Sequence, residues 1–251
     1  MKHLLWTALG MMAGTILGAG TPARATGFGD EAKDAARKLG EQSSYTWTST
    51  TRKLVDGKDA APDKVAPISE GRIEKAGATY LILAKGTPKS VEVAIRESKV
   101  AVKTPDGWKS LNDFAPADPA SNKKPDKLAV LAKSYERFTS PSSEVVSLVE
   151  GMKEMKGEGD GLYSGQATED ARKAYLVRTA KPGAAPKELM EPKLTLRCWV
   201  KDGMLVKYEV ALESKKLKKD VVTVNATVTT VELREIGSTK AELPEEARKK
   251  L

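Results

Sequence analysis

Residues 196–212 alternate apolar and polar side chains on both sides of an Asp-Gly pair, and this alternation constrains the fold most strongly. Side chains two residues apart share one face of a strand, so the stretch LRCWVKDGMLVKYEVAL predicts two strands that each carry an apolar face. Lys201-Asp202-Gly203 suits the tight turn between them. The predicted apolar face consists of Leu196, Cys198, Val200, Val206, Tyr208 and Val210. This face has to cover either a packed core or a cavity.

Strand patterns also fill the first half of the chain. The stretch 44–54 is dense in Thr, Tyr and Trp, which favour a pleated surface. Residues 70–109 predict successive antiparallel hairpins, with turns at Glu97-Ser98 and Pro105-Asp106-Gly107. The side chains that we assign to the interior here are Trp47, Tyr80, Ile82, Val93, Ile95 and Val102.

The C-terminal stretch 221–236 predicts one further long strand. Its apolar positions shift phase, from Val222, Val224, Ala226 and Val228 to Val231 and Leu233. A period-two pattern that slips by one residue predicts a bulge or a sharp bend.

The middle of the chain is predicted to be helical, as is a short segment at 30–40. Apolar side chains recur at helical spacing over 127–138. Ser140-Pro141 is typical of a cap and a first-turn proline, and the helix that follows is predicted to carry Leu148, Met152 and Met155. The glycine-rich stretch 156–166 predicts a flexible loop, and a short helix is expected from Glu169.

The first 25 residues predict a signal peptide that is cleaved after Ala25. Lys2 precedes an apolar run, and Ala23-Arg24-Ala25 is a small-x-small cleavage pattern. Removing 25 of 251 residues leaves 226, and loss of Lys2 and Arg24 lowers the formal charge from +8 to +6. We therefore expect an exported, periplasmic or extracellular soluble protein with a single domain at 26–251.

The predicted mature chain lacks the residues that most catalytic and metal sites need. The sole histidine leaves with the signal, which removes the usual general base and the commonest metal ligand. The single cysteine, Cys198, forms no internal disulfide and is interpreted as a buried apolar residue. Ser121-Asn122-Lys123-Lys124 matches S-x-x-K but lies in a Pro-rich loop. We predict no enzyme activity, no cofactor and no metal; paired carboxylates remain the one catalytic alternative.

Basic residues cluster twice near the C-terminus, at Lys215, Lys216, Lys218 and Lys219, and at Arg248, Lys249 and Lys250. One interpretation is a solvated surface that resists aggregation. The other is attraction to an anionic membrane surface or glycan. Nucleic acid is not an expected partner, because no aromatic side chains are interleaved with these clusters and the chain is expected to be exported.

The order of these parts resembles the periplasmic lipoprotein-carrier superfamily, which includes LolA, LolB and the mycobacterial LppX-like lipoproteins. The resemblance is carried by three stretches: YTWTSTTRK, VAVKTPDGWKSL and LTLRCWVKDGMLVKYEVAL. Two departures stand out: no arginine can be assigned to the buried position typical of the carriers, and the lipid-anchor cysteine of the anchored members is absent.

The resemblance implies an α+β fold, a curved antiparallel sheet or half-barrel with helices covering its concave face as a lid. It implies a monomer that holds a lipid or a lipidated protein in an apolar cavity. Leu148, Met152 and Met155 would face the strand residues named above across that cavity, and methionines suit variable guests. The alternative is a filled core on the same scaffold, which would then serve as a protein-interaction or sensing module.

Overall fold

The computed structural model describes residues 27–60, 66–74, 77–114, 126–179, 189–218, 221–240 and 242–251. The predicted signal peptide, the Ser121–Lys124 motif and Lys219 lie outside the described residues. Within these ranges the α-helices α1 to α5 are Phe28–Glu41, Lys127–Tyr135, Pro141–Glu150, Glu169–Thr179 and Glu245–Arg248. A 3₁₀ turn spans Leu111–Asp113. Strands β1 to β12 are Ser44–Val55, Lys58–Asp59, Ile68–Glu74, Ala78–Lys85, Val91–Arg96, Lys99–Thr104, Gly107–Ser110, Met152–Gly159, Leu162–Ala167, Met190–Lys201, Met204–Lys218 and Val221–Arg234.

The described strands form one open antiparallel sheet. Its order is β7-β6-β5-β4-β3-β1-β12-β11-β10-β9-β8, and the short β2 pairs with the far end of β1. Two runs of consecutive hairpins therefore meet where β1 pairs with β12, from Thr46 opposite Arg234 to Val55 opposite Asn225. The α+β class and the antiparallel sheet with helices that we expected are confirmed.

Turn chemistry sets the hairpin between β10 and β11. Asp202 and Gly203 both have positive φ, at 53° and 71°, as the primed hairpin turns require. The pairing of β10 with β11 shifts register beside this turn, between Trp199 and Val200. Because of this bulge, Leu205 is fully buried beside Tyr208, whereas Val206 is only half-buried.

Helices α1, α2 and α3 pack on one face of the sheet, which we call the core face. Small residues on α1, Ala32, Ala35 and Ala36, are buried together with Leu39 and allow the helix to approach β11 closely. α2 packs against β6, and α1 packs against α3. The opposite, outer face of β4–β7 carries a smaller cluster, where α5 contributes Ala247 and packs near Trp108. No described helix is both long and apolar enough to cross a membrane.

Two sequence predictions about the middle of the chain are wrong. The helix after Ser140 ends at Glu150, so Met152 and Met155 lie on strand β8 instead. The glycine-rich stretch after them is the β8–β9 hairpin rather than a flexible loop. The register between β8 and β9 shifts between Met152 and Met155, which brings two residues three apart to one face and so imitates helical spacing.

A bulge or a sharp bend was predicted in the last strand, and the bulge is wrong. β12 pairs in unbroken register with β1 and with β11. The phase shift instead marks a change of face: Val231 and Leu233 belong to the core, whereas Val222, Val224, Ala226 and Val228 point to the outer face. The apolar side of this strand therefore changes halfway along its length.

Candidate functional site

The space between the core face and the helices is filled by a single apolar cluster. Leu39 of α1 and Val145 of α3 are fully buried, as are Leu196, Cys198 and Leu205 of the strands beneath them. Burial raises the pKa of the Cys198 thiol to about 12, so the thiol stays protonated at neutral pH. This end of the interior is a packed core.

Aromatic side chains fill the interior between α2 and α3. The Trp47 ring stacks on Phe138 at a centroid distance of 6.2 Å with 18° between the planes. Tyr45 lies 5.8 Å from Trp47, and Tyr135 lies 6.4 Å from Phe138. A Cβ added at Gly71, opposite Trp47 on β3, would lie 2.1 Å from Trp47 Cζ2. The indole therefore lies directly on the backbone of the neighbouring strand.

Methionines occupy the interior next to the sheet edge at β8. Met152 and Met155 are both buried and are the core-face residues of that strand. Each lies over Gly165 of β9, where a Cβ would be 2.5 Å from the Met155 sulfur and 3.1 Å from Met152 Cγ. Flexible side chains against a bare backbone can repack more readily than branched ones.

A half-buried hydrogen bond joins α3 to the sheet. The Tyr208 hydroxyl donates to Glu144 Oε2 at 2.6 Å, and Arg178 Nη2 of α4 donates to Glu144 Oε1 at 2.7 Å. Tyr208 is 1% exposed, so desolvation and the Glu144 carboxylate raise its pKa well above the usual value. Tyr45 also donates to Ser142 Oγ at 3.3 Å.

Two surface pockets border this interior without entering it. A groove of about 360 Å³ runs between α1 and α3 and is lined by Arg37, Gly40, Ser143 and Glu150 among others. The second, of about 290 Å³, lies between the β6–β7 end of the sheet and Leu251. Among the described residues, no group of three His, Cys, Asp or Glu side chains could hold a metal ion.

The structure brings together most of the predicted site residues. One core cluster contains Trp47, Val93, Ile95, Val102, Leu148, Met152, Met155, Leu196, Cys198, Tyr208 and Val210, with Val200 half-buried against it. Tyr80 lies in the outer-face cluster, and Ile82 shares its face by strand alternation. Leu81 and Leu83 occupy the core side of β4 instead.

Sequence reasoning did not assign several interior residues. Leu205 was missed because the bulge reverses the alternation after the turn. Phe138 was expected on the apolar stripe of a helix over 127–138, but that helix ends at Tyr135 and Phe138 lies in the segment that follows it. The run TYLILA is apolar on both faces, so its pattern could not decide between Tyr80 and Leu81.

The comparisons with known proteins give similar solved structures, among them LprF and a DUF1329 family protein. No model of a protein family matches the chain, and no curated protein matches it. The structure is similar to LprF from Mycobacterium bovis, with 12% identity and a TM-score of 0.44, over 88% of this chain and 97% of that one. It is also similar to a DUF1329 family protein from Desulfovibrio piger, with 8% identity and a TM-score of 0.30, over 84% and 93% of the two chains. Independently of these likenesses, the sheet and its helices have the arrangement that the lipoprotein-carrier resemblance implied.

Proposed function

We propose that the protein is an exported, non-enzymatic binding protein that holds a lipid or a lipidated ligand against the core face of its sheet. The observation that supports this proposal is that the helices cover the core face of the sheet in two separate parts. α1 and α3 lie over β8–β11, whereas α2 packs on β6. Trp47, Tyr135 and Phe138 fill the interior between these two parts with side chains rather than with a helix.

Uptake would require the aromatic filling to move, because the rings of Trp47, Tyr135 and Phe138 occupy this part of the interior. Phe138 lies between α2 and α3 in a segment without regular structure, where its backbone N–H donates to the Tyr135 carbonyl at 3.0 Å. Rotation of this segment would break few main-chain hydrogen bonds and would expose Trp47. An acyl chain could then take the place of the rings, at about 0.8 kcal/mol per buried methylene.

The residues that we propose to line the ligand are the core-face members of the predicted set. They begin at Trp47 and extend across the sheet to the methionines of β8. Met152 and Met155 would repack around acyl chains of different length, since a Cβ-free Gly165 lies beneath them. Tyr80 and Ile82 face the other side of the sheet and would take no part.

Attraction to an anionic membrane surface completes the proposal. Lys216 is exposed near the β11–β12 turn, and Lys249 and Lys250 lie at the C-terminal helix. Lys249 pairs with Glu245 at 3.0 Å and Lys250 with Asp113 at 3.1 Å. In the β11–β12 cluster Lys215 pairs with Glu191 at 2.6 Å, so exposed Lys216 is the candidate for this contact.

A second candidate function is a protein-interaction or sensing module with a permanently filled core. It is favoured by the full burial of Leu39, Val145 and Leu196 and by the position of both pockets outside the interior. A carboxylate hydrolase has less support. Glu41 and Glu150 line one groove, but the Lys33 ammonium lowers the pKa of Glu150, whereas a general acid needs a raised one.

Native mass spectrometry and uptake of a fluorescent fatty acid separate the two functions. We expect lipid to co-purify with the protein from its own envelope. Phe138→Ala should increase the rate of fatty-acid uptake, because it removes the ring that closes access to Trp47. Tyr80→Ala deletes an aromatic ring on the outer face and should leave uptake unchanged. A clean apo mass, with no uptake by either the wild type or Phe138→Ala, would establish the filled-core module instead.

A further inference from the structure

One carboxylate lies where the apolar interior meets solvent. Glu144, in the first turn of α3, has a side chain that is 26% exposed, and it accepts a hydrogen bond from Tyr208, which is buried in the core cluster. Arg178 of α4, whose side chain is 33% exposed, contacts the same carboxylate and also lies over the Tyr175 ring, 5.4 Å from its centroid. We call Glu144, Arg178, Tyr175 and Tyr208 the polar cluster.

The two oxygens of Glu144 have donors of different kinds. Tyr208 donates to Oε2 at 2.6 Å, and desolvation together with the carboxylate holds the pKa of Tyr208 well above its usual value, so its hydroxyl stays a donor. Arg178 Nη2 donates to Oε1 at 2.7 Å from α4, a helix in which no residue is buried. Elements with few buried side chains detach at a low cost in free energy. Arg178 is therefore the exchangeable donor, and Tyr208 the permanent one.

The polar cluster borders the space that we assign to the ligand. Ser49 of β1 pairs with Val231 of β12, and Val231 pairs in turn with Tyr208 of β11. Tyr208 therefore lies two strand spacings, about 10 Å, across the core face from β1, the strand that carries Trp47. An acyl chain that lay across the core face from Trp47 would bring its polar end to Glu144.

We propose that Glu144 receives the headgroup of the ligand and selects a group that donates hydrogen bonds, an ammonium before a hydroxyl, against a carboxylate. This inference rests on the proposed function and names the class of lipid that the interior takes. When Arg178 moves aside, Glu144 is a half-buried carboxylate that has lost its counter-charge and one of its two donors. A ligand ammonium restores both the charge and the hydrogen bond, whereas a hydroxyl restores only the hydrogen bond. A ligand carboxylate brings a like charge to the same place.

Probes that differ only in their headgroup test the inference. They share one pyrene-tailed alkyl chain and end in a primary amine, a hydroxyl or a carboxylate, and their dissociation constants are measured by fluorescence titration at neutral pH. We expect the wild type to bind the amine about tenfold more tightly than the acid, with the alcohol between them. Glu144→Gln keeps the size of the side chain and an acceptor oxygen but removes the charge. It should reduce the preference for the amine to about threefold or less and change binding of the alcohol little.

A matched control is available at Glu31, which also accepts a hydrogen bond from a tyrosine hydroxyl, that of Tyr163, at 2.6 Å but at an exposed position. Glu31→Gln removes the same charge from the protein and should leave the preference for the amine unchanged. Arg178→Gln removes the group that the amine has to displace, so it should tighten binding of the amine and not of the acid. Urea unfolding of each variant shows that it is folded, and the comparison of the three probes on the wild type needs no variant.

Three results would overturn the inference. Equal affinities for the amine and the acid, or tighter binding of the acid that Arg178→Gln abolishes, would leave the proposed function standing but would remove Glu144 as the headgroup site. A preference for the amine that Glu31→Gln reduces as much as Glu144→Gln would show an effect of net charge alone. Uptake of none of the probes, by either the wild type or Phe138→Ala, would overturn the proposed function and this inference together.

Discussion

The Tyr208 hydroxyl donates a 2.6 Å hydrogen bond to Glu144 Oε2, which joins the middle of strand β11 to the first turn of helix α3. Tyr208→Phe deletes only the hydroxyl and leaves the half-buried Glu144 carboxylate without this donor. We expect a loss of about 1–3 kcal/mol in the free energy of unfolding, measured by urea titration.

A second tyrosine of the same geometry provides the control for this substitution. The Tyr163 hydroxyl donates to Glu31 Oε2, also at 2.6 Å, but at an exposed position. Tyr163→Phe should change stability by no more than about 0.5 kcal/mol, because water replaces the lost donor. Equal losses of unfolding free energy in the two variants would show that the greater burial of the Tyr208–Glu144 hydrogen bond does not add to stability.

Alkaline stability should depend on Cys198. Burial raises the pKa of this thiol from an ordinary value of 9.0 to about 12, so the unfolded chain releases the proton first as pH rises. The stabilisation is complete below pH 9 and is lost progressively towards pH 12. The limiting slope for one proton is about 1.4 kcal/mol per pH unit.

Cys198→Ala should reduce this slope between pH 9 and pH 10, where the thiol of the unfolded chain ionises ahead of the tyrosines, whose ordinary pKa is 10.0. The measurement is the urea midpoint at closely spaced pH values in the presence of reductant. The variant will be less stable than the wild type at pH 8 because it lacks a buried atom, so the comparison rests on the slopes. Parallel slopes would contradict the prediction.

Gly71 should not tolerate a side chain. The Cβ of Gly71→Ala would lie 2.1 Å from Trp47 Cζ2, and the indole is held by its stack on Phe138. We expect a loss of about 1–3 kcal/mol from overpacking, measured by thermal or urea unfolding. Gly29→Ala is the comparison, since its Cβ would meet Met155 at an ordinary 3.6 Å; this change should be neutral or stabilising.

Leu243 should be important for stability although it lies near the C-terminus. It is 4% exposed and packs in the outer-face cluster with Ala94, Ala101 and Trp108. Leu243→Ala should lower the free energy of unfolding by about 2–5 kcal/mol, as for other buried leucines. Val177→Ala, at a position 62% exposed, should change it by less than about 0.5 kcal/mol. A small effect at Leu243 would mean that the tail is loosely attached.

The sequence predicted the parts of the fold where alternation is unbroken. Strands within 44–54 and 91–104 and the strand at 196–200 follow from their period-two patterns, and the Asp202-Gly203 turn from its residue types. Patterns failed at bulges. Met152 and Met155 are three residues apart, as are Leu205 and Tyr208. In each pair a register shift places both residues on the same face of the strand, which strict alternation would not do.

The candidate site was predicted less completely than the fold. Strand residues such as Val93, Val102 and Leu196 lie in the core cluster, as expected because polar neighbours mark their faces; their contact with a ligand stays a prediction. Tyr80 was assigned to the wrong face because its strand is apolar on both sides. Phe138 was assigned to the apolar stripe of the middle helix, but its stack on Trp47 could not be predicted, since it joins segments about ninety residues apart and leaves no local signature.

The pairing of β1 with β12 has a consequence for how the chain folds. Each run of hairpins, β3 to β7 and β8 to β11, contains only neighbours in sequence and can form early. The ladder that unites them joins Thr46 to Arg234, 188 positions apart, and must await synthesis of nearly the whole polypeptide. Until then, two partial sheets with unpaired edge strands would exist. A nascent chain with this topology would therefore gain from a chaperone that shields β1 until β12 emerges.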